Sequence, residues 1–154
     1  ARLARYTQNQ TYVDWAEKTW EWYAGTPLLN TQTWQINDGS STQKNCSDAS
    51  QLQWTYNYGV FIAGNAYLYN YTGEAKYMDR IEGLLNATLE RFFPQNMGGV
   101  MVEITCEPLG NCNNDQPAFK AFLTRWLAVT AQLVPELYER IFTYLRKDAT
   151  GAAG

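Results

Sequence analysis

An internal repeat constrains the fold of this chain more than any other feature of its sequence. The pattern Tyr-Thr-x4-Tyr-x-Asp-x2-Glu begins at Tyr6 and recurs at Tyr71, and a weaker third copy covers residues 135–141. In each copy one helical segment ends, a short turn follows, and the next helix begins with a tyrosine on its packing face. Helical hairpins repeated in this way predict an all-α array or toroid.

The length of the chain limits how much of such a toroid it can form. A closed ring of six hairpins needs about 350–400 residues, whereas this chain has 154. We therefore expect an internal segment of a longer protein, and the alternative is a small complete domain.

Hydrophobic periodicity predicts five helices. They cover residues 10–25, 51–71, 74–93, 115–131 and 135–148. A turn-rich segment over residues 26–50 separates the first two, and the apolar residues 100–102 suggest a small strand pair.

Two of these helices have a predicted packing face. The packing stripe of the first helix comprises Tyr12, Trp15, Ala16, Thr19, Trp20 and Tyr23. The second helix carries small residues, which predict a close approach to its neighbours. These are Gly59, Ala63, Gly64 and Ala66.

Composition excludes several classes of function. The net charge is −3 and there is no long basic run, so we expect no nucleic-acid partner. No apolar run approaches the roughly 18 residues that span a bilayer. The chain has no histidine, which removes Ser-His and Cys-His nucleophilic catalysis and His-based metal sites. Acid–base chemistry would have to use carboxylates, and we expect neither a metal nor a cofactor.

Glycosylation sequons and cysteines both point to the secretory pathway. Four Asn-x-Ser/Thr sequons begin at Asn9, Asn45, Asn70 and Asn86. The spacing of Cys106 and Cys112 suits a short-range disulfide. Cys46 remains, and it is either free or paired with a cysteine outside this sequence.

Two segments place polar and aromatic side chains at the start of a predicted buried helix. The first is Gln53 to Gly59 and the second is Asn113 to Arg125. Aromatic rings beside amide, carboxylate and guanidinium groups are typical of sugar-binding clefts, because rings stack on pyranose faces while polar groups bind hydroxyls. Two ordinary helix starts with polar caps would explain the same residues equally well.

The motifs of the chain resemble those of glycoside hydrolase family 76, in particular its fungal Dfg5/Dcw1 group. The family's marks are Trp54-Thr55-Tyr56-Asn57-Tyr58-Gly59 and Phe119-Lys120-Ala121-Phe122-Leu123-x-Arg125, and the fungal group's are Asn45-Cys46-Ser47 and Cys106-Glu107-x4-Cys112-Asn113. The resemblance covers nearly the whole chain.

The resemblance implies an (α/α)6 barrel, with residues 1–154 forming roughly the middle part of a single catalytic domain. It also implies a retaining glycosidase or transglycosylase that acts on α-1,6-mannan or on the mannose core of GPI anchors. Such a protein is expected to be a monomer that is secreted, bound to the cell wall, or attached to the membrane only through a GPI anchor outside this chain.

Two other functions remain open. One is a non-catalytic glycan-binding or cell-wall protein on the same barrel. The other is a different (α/α)6 enzyme, such as an unsaturated glucuronyl hydrolase, although such enzymes are expected to lack the Thr-Tyr-Asn-x-Gly element.

One departure from the family pattern limits what can be assigned. The family's catalytic pair is two adjacent aspartates, and this chain contains no Asp-Asp sequence. No catalytic residue is therefore assigned here, and we expect the chain alone to be inactive.

By resemblance, seven residues are expected to line a substrate cleft. They are Asp38, Trp54, Tyr56, Asn57, Asp115, Lys120 and Arg125.

Four of the seven have a purely structural alternative. Asp38 suits an Asx-turn before a glycine, Trp54 suits core packing, and Asp115 suits a helix cap. Arg125 suits an internal salt bridge with Asp115. Two further carboxylates of interest are Glu103 and Glu107, and Glu107 is expected to be solvated.

Overall fold

The computed structural model describes residues 1–153, which form an all-α fold, as predicted. The α-helices are α1 (Arg2–Thr7), α2 (Gln10–Ala24), α3 (Thr55–Thr72), α4 (Ala75–Phe92), α5 (Phe119–Leu133) and α6 (Tyr138–Ala152). Short 3-10 turns cover Thr42–Lys44, Gln95–Met97, Glu107–Leu109, Gln116–Ala118 and Pro135–Leu137. No helix in this part of the chain combines the length and apolar character needed to cross a bilayer.

The repeat corresponds to successive helical hairpins. The first copy bridges the end of α1 at Thr7 and the start of α2, and the second bridges the end of α3 at Thr72 and the start of α4. Gln8 and Gly73 turn the chain in the left-handed region, with φ of 54° and 70°. The third copy joins α5 to α6 through the turn at Pro135.

The tyrosines of the three repeats differ in environment. Tyr77 is completely buried, whereas Tyr12 and Tyr138 are 37% and 40% exposed. The prediction of a packed tyrosine at each repeat is therefore right for α4 and wrong for α2 and α6. The predicted stripe of α2 is also partly wrong, because Trp15 is 61% exposed and the neighbouring Val13 is buried instead.

Helix α3 is the centre of the packing. It contacts α1, α4 and α5, and its buried residues lie on several faces. A Cβ on Gly59 would lie 3.1 Å from the Leu123 Cα, so the predicted close approach of α3 is confirmed at this glycine. Gly64 has no such neighbour within 4 Å. The core around α3 includes Tyr58, Ile62, Leu84, Phe92, Leu123, Leu127 and Ile141.

Two predictions for the irregular segments are wrong. Helix α3 starts at Thr55 rather than at residue 51, because Trp54 has an extended backbone and the carbonyl of Leu52 accepts a hydrogen bond from Asp38 N instead. No strand forms at residues 100–102, where Met101 N donates to the Asp148 carboxylate. The two short strands, β1 (Leu29–Asn30) and β2 (Gln35–Ile36), pair antiparallel within the turn-rich segment.

The predicted disulfide is confirmed. Cys106 and Cys112 are bonded, with a Cα–Cα distance of 4.8 Å. Cys46 is exposed and has no disulfide partner within residues 1–153.

Candidate functional site

A small polar cluster forms where the hairpin of β1 and β2 meets the first turn of α3. Asp38 follows β2, and its Oδ1 accepts hydrogen bonds from the Tyr56 hydroxyl at 3.1 Å and from Asn57 Nδ2 at 3.5 Å. Asp38 is exposed, while Tyr56 and Asn57 are half-buried. The structure thus brings together three of the seven predicted site residues, and the carboxylate of Asp38 is directed at α3 rather than engaged in an Asx-turn.

The Tyr56 hydroxyl is protonated at neutral pH, and its surroundings favour the protonated form further. Burial raises the pKa of Tyr56, and the charge of Asp38 and the hydrogen bond to it raise the pKa further. A neutral phenol remains a donor at neutral pH. The cluster therefore presents a carboxylate, an amide and a phenol at one surface, which is a set of groups that can bind hydroxyls.

An aromatic group lies beside this cluster. The ring of Phe119, at the start of α5, lies 4.6 Å from the Tyr56 ring and 5.5 Å from the Trp54 ring, both edge to face. Trp54 is only 6% exposed, which agrees with its structural alternative as a packing residue. The half-buried rings of Tyr56 and Phe119 are therefore better placed than Trp54 to contact a flat ligand face.

Two residues near the cluster, Phe119 and Tyr23, are not among the site residues predicted from the sequence. Phe119 was recognised only as part of a family motif, although its position at the start of a predicted helix beside Lys120 was a usable signal. Tyr23 was assigned to the packing stripe of α2. Burial raises the pKa of Tyr23, and the negative charge of Asp38 raises it further.

Glu103 is the most unusual carboxyl group near the site. It is completely buried, and it accepts hydrogen bonds from Thr55 N at 3.4 Å and from the Thr55 hydroxyl. Burial raises the pKa of Glu103 to about 7; the negative charge of Glu107 adds to this, while the bonds from Thr55 oppose it.

Lys120 pairs with Glu107 and does not extend freely into solvent. Glu107 also accepts a hydrogen bond from Glu103 N at 3.2 Å. Both side chains are partly buried, so the expectation that Glu107 is solvated is wrong. The ion pair joins the loop closed by the disulfide to the first turn of α5.

Asp115 and Arg125 lie outside the polar cluster. Both are exposed, and within residues 1–153 neither side chain makes a hydrogen bond or an ion pair. The Asn113 side chain, instead of Asp115, accepts hydrogen bonds from the backbone N–H groups of Asp115 and Gln116 before α5. The structural alternatives, a cap for Asp115 and a salt bridge to Arg125, are thus not what the structure contains.

A groove of about 500 Å³ opens beside the polar cluster. Its lining is rich in neutral amides, including Gln35, Asn37 and Gln51, of which Asn37 directly precedes Asp38. Within residues 1–153 no group of three or more His, Cys, Asp or Glu side chains converges as a metal site would require. Gln35 donates to Asn37 and Gln51, and Asn37 donates to the Pro27 carbonyl. The hydrogen-bonding capacity that remains in the groove suits uncharged polar groups.

The four sequon asparagines are all exposed. Asn9 caps α2 by accepting from Thr11 N, and Asn45 lies in an exposed turn. Asn70 accepts from Arg5 Nε at 2.6 Å, and Asn86 accepts from Arg140.

Comparison with known proteins identifies the family. The profile of glycosyl hydrolase family 76 matches residues 1–154. The chain is 47% identical over 99% of its length to mannan endo-1,6-alpha-mannosidase DCW1 of Saccharomyces cerevisiae, of which it covers 33%. It is 46% identical over 100% of its length to mannan endo-1,6-alpha-mannosidase DCW1 of Candida albicans, of which it covers 34%.

A solved structure gives the same result. The chain matches the crystal structure of Dfg5 from Chaetomium thermophilum in complex with glucosamine, with a TM-score of 0.91 and 39% identity over 97% of this chain and 36% of that chain. This chain spans about a third of the length of these relatives. On sequence and on fold, it belongs to glycosyl hydrolase family 76.

Proposed function

We propose that the full-length protein cleaves or transfers α-1,6-mannosidic linkages with retention of configuration. The observation that carries the proposal is the 47% identity, over 99% of this chain, to a relative named mannan endo-1,6-alpha-mannosidase. The substrate would be cell-wall mannan or the mannose core of a GPI anchor. Residues 1–154 would form part of a single catalytic domain.

The role of this chain in that reaction is to bind and orient the glycan. Asp38 and Asn57 would bind mannose hydroxyls, because their polar atoms meet at an accessible surface. The Tyr56 ring would support a pyranose face, with Phe119 behind it at 4.6 Å. Trp54 would act beneath this surface, through its edge contact with Phe119.

Three more residues would contact the glycan further along its length. Lys120 follows Phe119 directly, and Asp115 precedes the turn that leads into α5. Arg125 is exposed on the same helix. The exposed Asp115 and Arg125 and the partly buried Lys120 suit polar contacts at the rim of a cleft rather than at the reacting bond.

The reacting carboxylates would come from another part of the protein. A retaining glycosidase needs a nucleophilic carboxylate and a carboxylic acid about 5–5.5 Å apart. The pKa of the acid must be raised by burial and by the neighbouring negative charge. In the family this pair is two adjacent aspartates, which the present sequence does not contain. If an acceptor hydroxyl replaces water in the second step, the same geometry gives transglycosylation.

The sequons and the disulfide indicate where the protein acts. Four exposed sequon asparagines and the Cys106–Cys112 disulfide suit a secreted or cell-surface glycoprotein. We infer that Asn9, Asn45, Asn70 and Asn86 are its candidate sites for N-linked glycans. We further infer that the protein is a monomer and that any membrane attachment is through a GPI anchor.

The test is an assay of the full-length protein on linear α-1,6-mannan oligosaccharides, with the anomer of the first product followed by proton NMR. We expect the α-anomer to form first, and Asp38→Asn to lower kcat/KM at least tenfold. Asp79→Asn, an exposed aspartate of α4, is the matched control and should have no effect. Binding of the oligosaccharide without turnover would instead support the non-catalytic glycan-binding role.

A further inference from the structure

The first turn of α3 has no cap from its own sequence neighbours. Trp54 occupies the N-cap position and supplies no side-chain hydrogen bond. The first N–H groups of a helix have no acceptor within the helix, so they need one from elsewhere. Here the acceptor for Thr55 N is the Glu103 carboxyl group, 48 residues further along the chain.

Glu103 accepts hydrogen bonds from both donors of Thr55, its backbone N–H and its hydroxyl. One carboxyl oxygen accepts from Thr55 N at 3.4 Å, and the other accepts from the Thr55 hydroxyl. Both residues are completely buried, so water cannot replace either bond. The helix dipole also favours the ionised form of a carboxyl group at a helix N-terminus.

Residues next to Glu103 also form hydrogen bonds that lead to the starts of α3 and α5. The Thr105 hydroxyl donates to the Gln53 carbonyl at 2.8 Å, next to the start of α3. Glu103 N donates to Glu107, which pairs with Lys120 at the start of α5. The segment 103–107 therefore links the first turns of α3 and α5.

The residues that this segment links are those of the candidate cleft. Tyr56 and Asn57 directly follow Thr55, and Phe119 directly precedes Lys120. The Tyr56 and Phe119 rings lie 4.6 Å apart, so their relation depends on how the two helix starts are held. The charged or titratable groups near the Glu103 carboxyl are Glu107, Lys120 and Tyr56.

We propose that Glu103 is a positioning residue: by capping α3 from a distant part of the chain, it holds Tyr56 and Asn57 in the orientation that binds the glycan. It touches no substrate, because it is completely buried. The effect of Glu103 on glycan binding rests on the proposed function, whereas its capping of α3 does not.

The variants separate the capping role from simple loss of stability. Glu103→Met keeps the approximate volume and removes both acceptors. Glu103→Gln keeps an acceptor for Thr55 N, and its amide can donate to the Thr55 hydroxyl. Thr88→Val is the matched control, since Thr88 is completely buried and bonds only to the Leu84 carbonyl within α4.

The experiment uses the full-length protein and two readouts, hydrogen exchange of the amides of residues 55–58 and KM for an α-1,6-mannan oligosaccharide. For Glu103→Met we expect exchange of these amides to rise roughly tenfold, as the loss of a helix cap predicts, and KM to rise with little change in kcat. Glu103→Gln should restore both values to near those of the wild type. Thr88→Val should change neither.

Two results would overturn the proposal. One is unchanged exchange at residues 55–58 in Glu103→Met, and the other is an equal rise of KM in Thr88→Val. If Glu103→Met does not fold, Thr55→Val decides the matter, since it removes only the hydroxyl donor and must still raise exchange in the same turn. If the wild type does not cleave mannan, the proposed function fails, but the exchange result still decides whether Glu103 caps α3.

Discussion

Arg80 of α4 donates to both carboxylate oxygens of Glu17 on α2, at 2.7 and 3.2 Å. The same contact occurs one hairpin later, where Arg140 of α6 donates to Glu82 of α4 at 2.6 Å. Glu17 and Glu82 are the glutamates that close the first two copies of the sequence repeat. The repeated glutamate thus marks an ion pair between the second helices of consecutive hairpins.

We expect Arg80→Met to destabilise the full-length protein by roughly 1–2 kcal/mol, because it removes the two-pronged partner of the partly buried Glu17 and leaves only Lys76, 3.5 Å away, to pair with it. Burial tends to raise the pKa of Glu17, but the hydrogen bond and charge of Arg80, together with Tyr77 and the charge of Lys76, outweigh it and lower the pKa. A lowered pKa stabilises the fold above the unfolded value, and the contribution is lost as the pH falls through the folded value. Urea unfolding at pH 7 and at pH 3 measures both effects.

The control for Arg80 is Arg146→Met. Arg146 pairs with Glu139 at 3.7 Å, and both side chains are largely exposed. Exposed pairs contribute roughly 0–1 kcal/mol, so this variant should unfold nearly as the wild type does. Equal losses in the two variants would mean that the contact between α2 and α4 has no special role.

The second prediction concerns the pH dependence that Glu103 gives to stability. Its pKa is raised by burial from the usual 4.5 to about 7. Because the folded state binds the proton more tightly than the unfolded state, this stabilisation is complete below pH 4.5 and is lost as the pH rises to about 7. A shift of this size corresponds to roughly 3 kcal/mol.

Glu103→Gln removes the titration while keeping the shape of the side chain. We therefore expect the difference in unfolding free energy between wild type and Glu103→Gln to change between pH 4.5 and 7.5, in the direction that favours the wild type at low pH. Denaturant unfolding at a series of pH values measures it. A difference that is constant over this range would show that Glu103 does not titrate there.

The third prediction concerns the disulfide that closes the loop after Glu103. The loop between Cys106 and Cys112 is short, so the loop-entropy model gives a contribution of only about 2 kcal/mol. The double variant Cys106→Ser/Cys112→Ser should lose about this much in urea unfolding. A thiol reductant should lower the stability of the wild type by a similar amount and leave the variant unchanged.

The sequence predicted the helices and their hairpins well, because helical periodicity and the Tyr-Thr repeat are local signals. Helix α2 was predicted over residues 10–25 and observed over Gln10–Ala24. The start of α3 was misplaced because residues 51–54 are held extended by contacts with distant residues. Leu52 is bound by Asp38, and Gln53 by Thr105.

Only part of the candidate site could be predicted from the sequence, namely the residues of its motifs whose side chains contact one another. Asp38, Tyr56 and Asn57 were named from the sequence, and their side chains do meet. The Glu103 cap joins residues 48 positions apart, and neither this contact nor the Glu107–Lys120 pair is marked by a local pattern in the sequence. Whether Asp115, Lys120 and Arg125 contact a ligand stays a prediction.

The fourth prediction separates the two roles of Tyr56 in binding. Tyr56→Phe removes the donor to Asp38 and keeps the ring, so KM for an α-1,6-mannan oligosaccharide should rise about fivefold, as the loss of one hydrogen bond of about 1 kcal/mol implies. Tyr56→Ala also removes the ring beside Phe119 and should raise KM further. Steady-state kinetics of the full-length protein measure both values, and equal KM values in the two variants would contradict a stacking role.

The last prediction concerns Gly83, in the middle of α4. Helix propensity alone favours alanine at such a position by about 1 kcal/mol. The indole of Trp34 lies against this glycine, however, and a Cβ at Gly83 would overlap the ring. Trp34 belongs to the turn between β1 and β2, with φ of 58°, and Asp38 lies two residues after the end of β2. We therefore expect Gly83→Ala to destabilise the protein by roughly 1–3 kcal/mol.

Making Gly83→Ala in a Trp34→Ala variant tests whether the Trp34 ring causes the loss of stability. In Trp34→Ala the ring is absent, so adding Gly83→Ala should stabilise that variant by the propensity term of about 1 kcal/mol. The change of sign between the two backgrounds, measured by urea unfolding of all four proteins, is the specific result of the Gly83–Trp34 contact. Because Trp34 lies in the hairpin that precedes Asp38, Gly83→Ala should also raise KM for the mannan oligosaccharide. If Gly83→Ala lowers the free energy of unfolding equally in the Trp34→Ala background, the destabilisation arises elsewhere in α4.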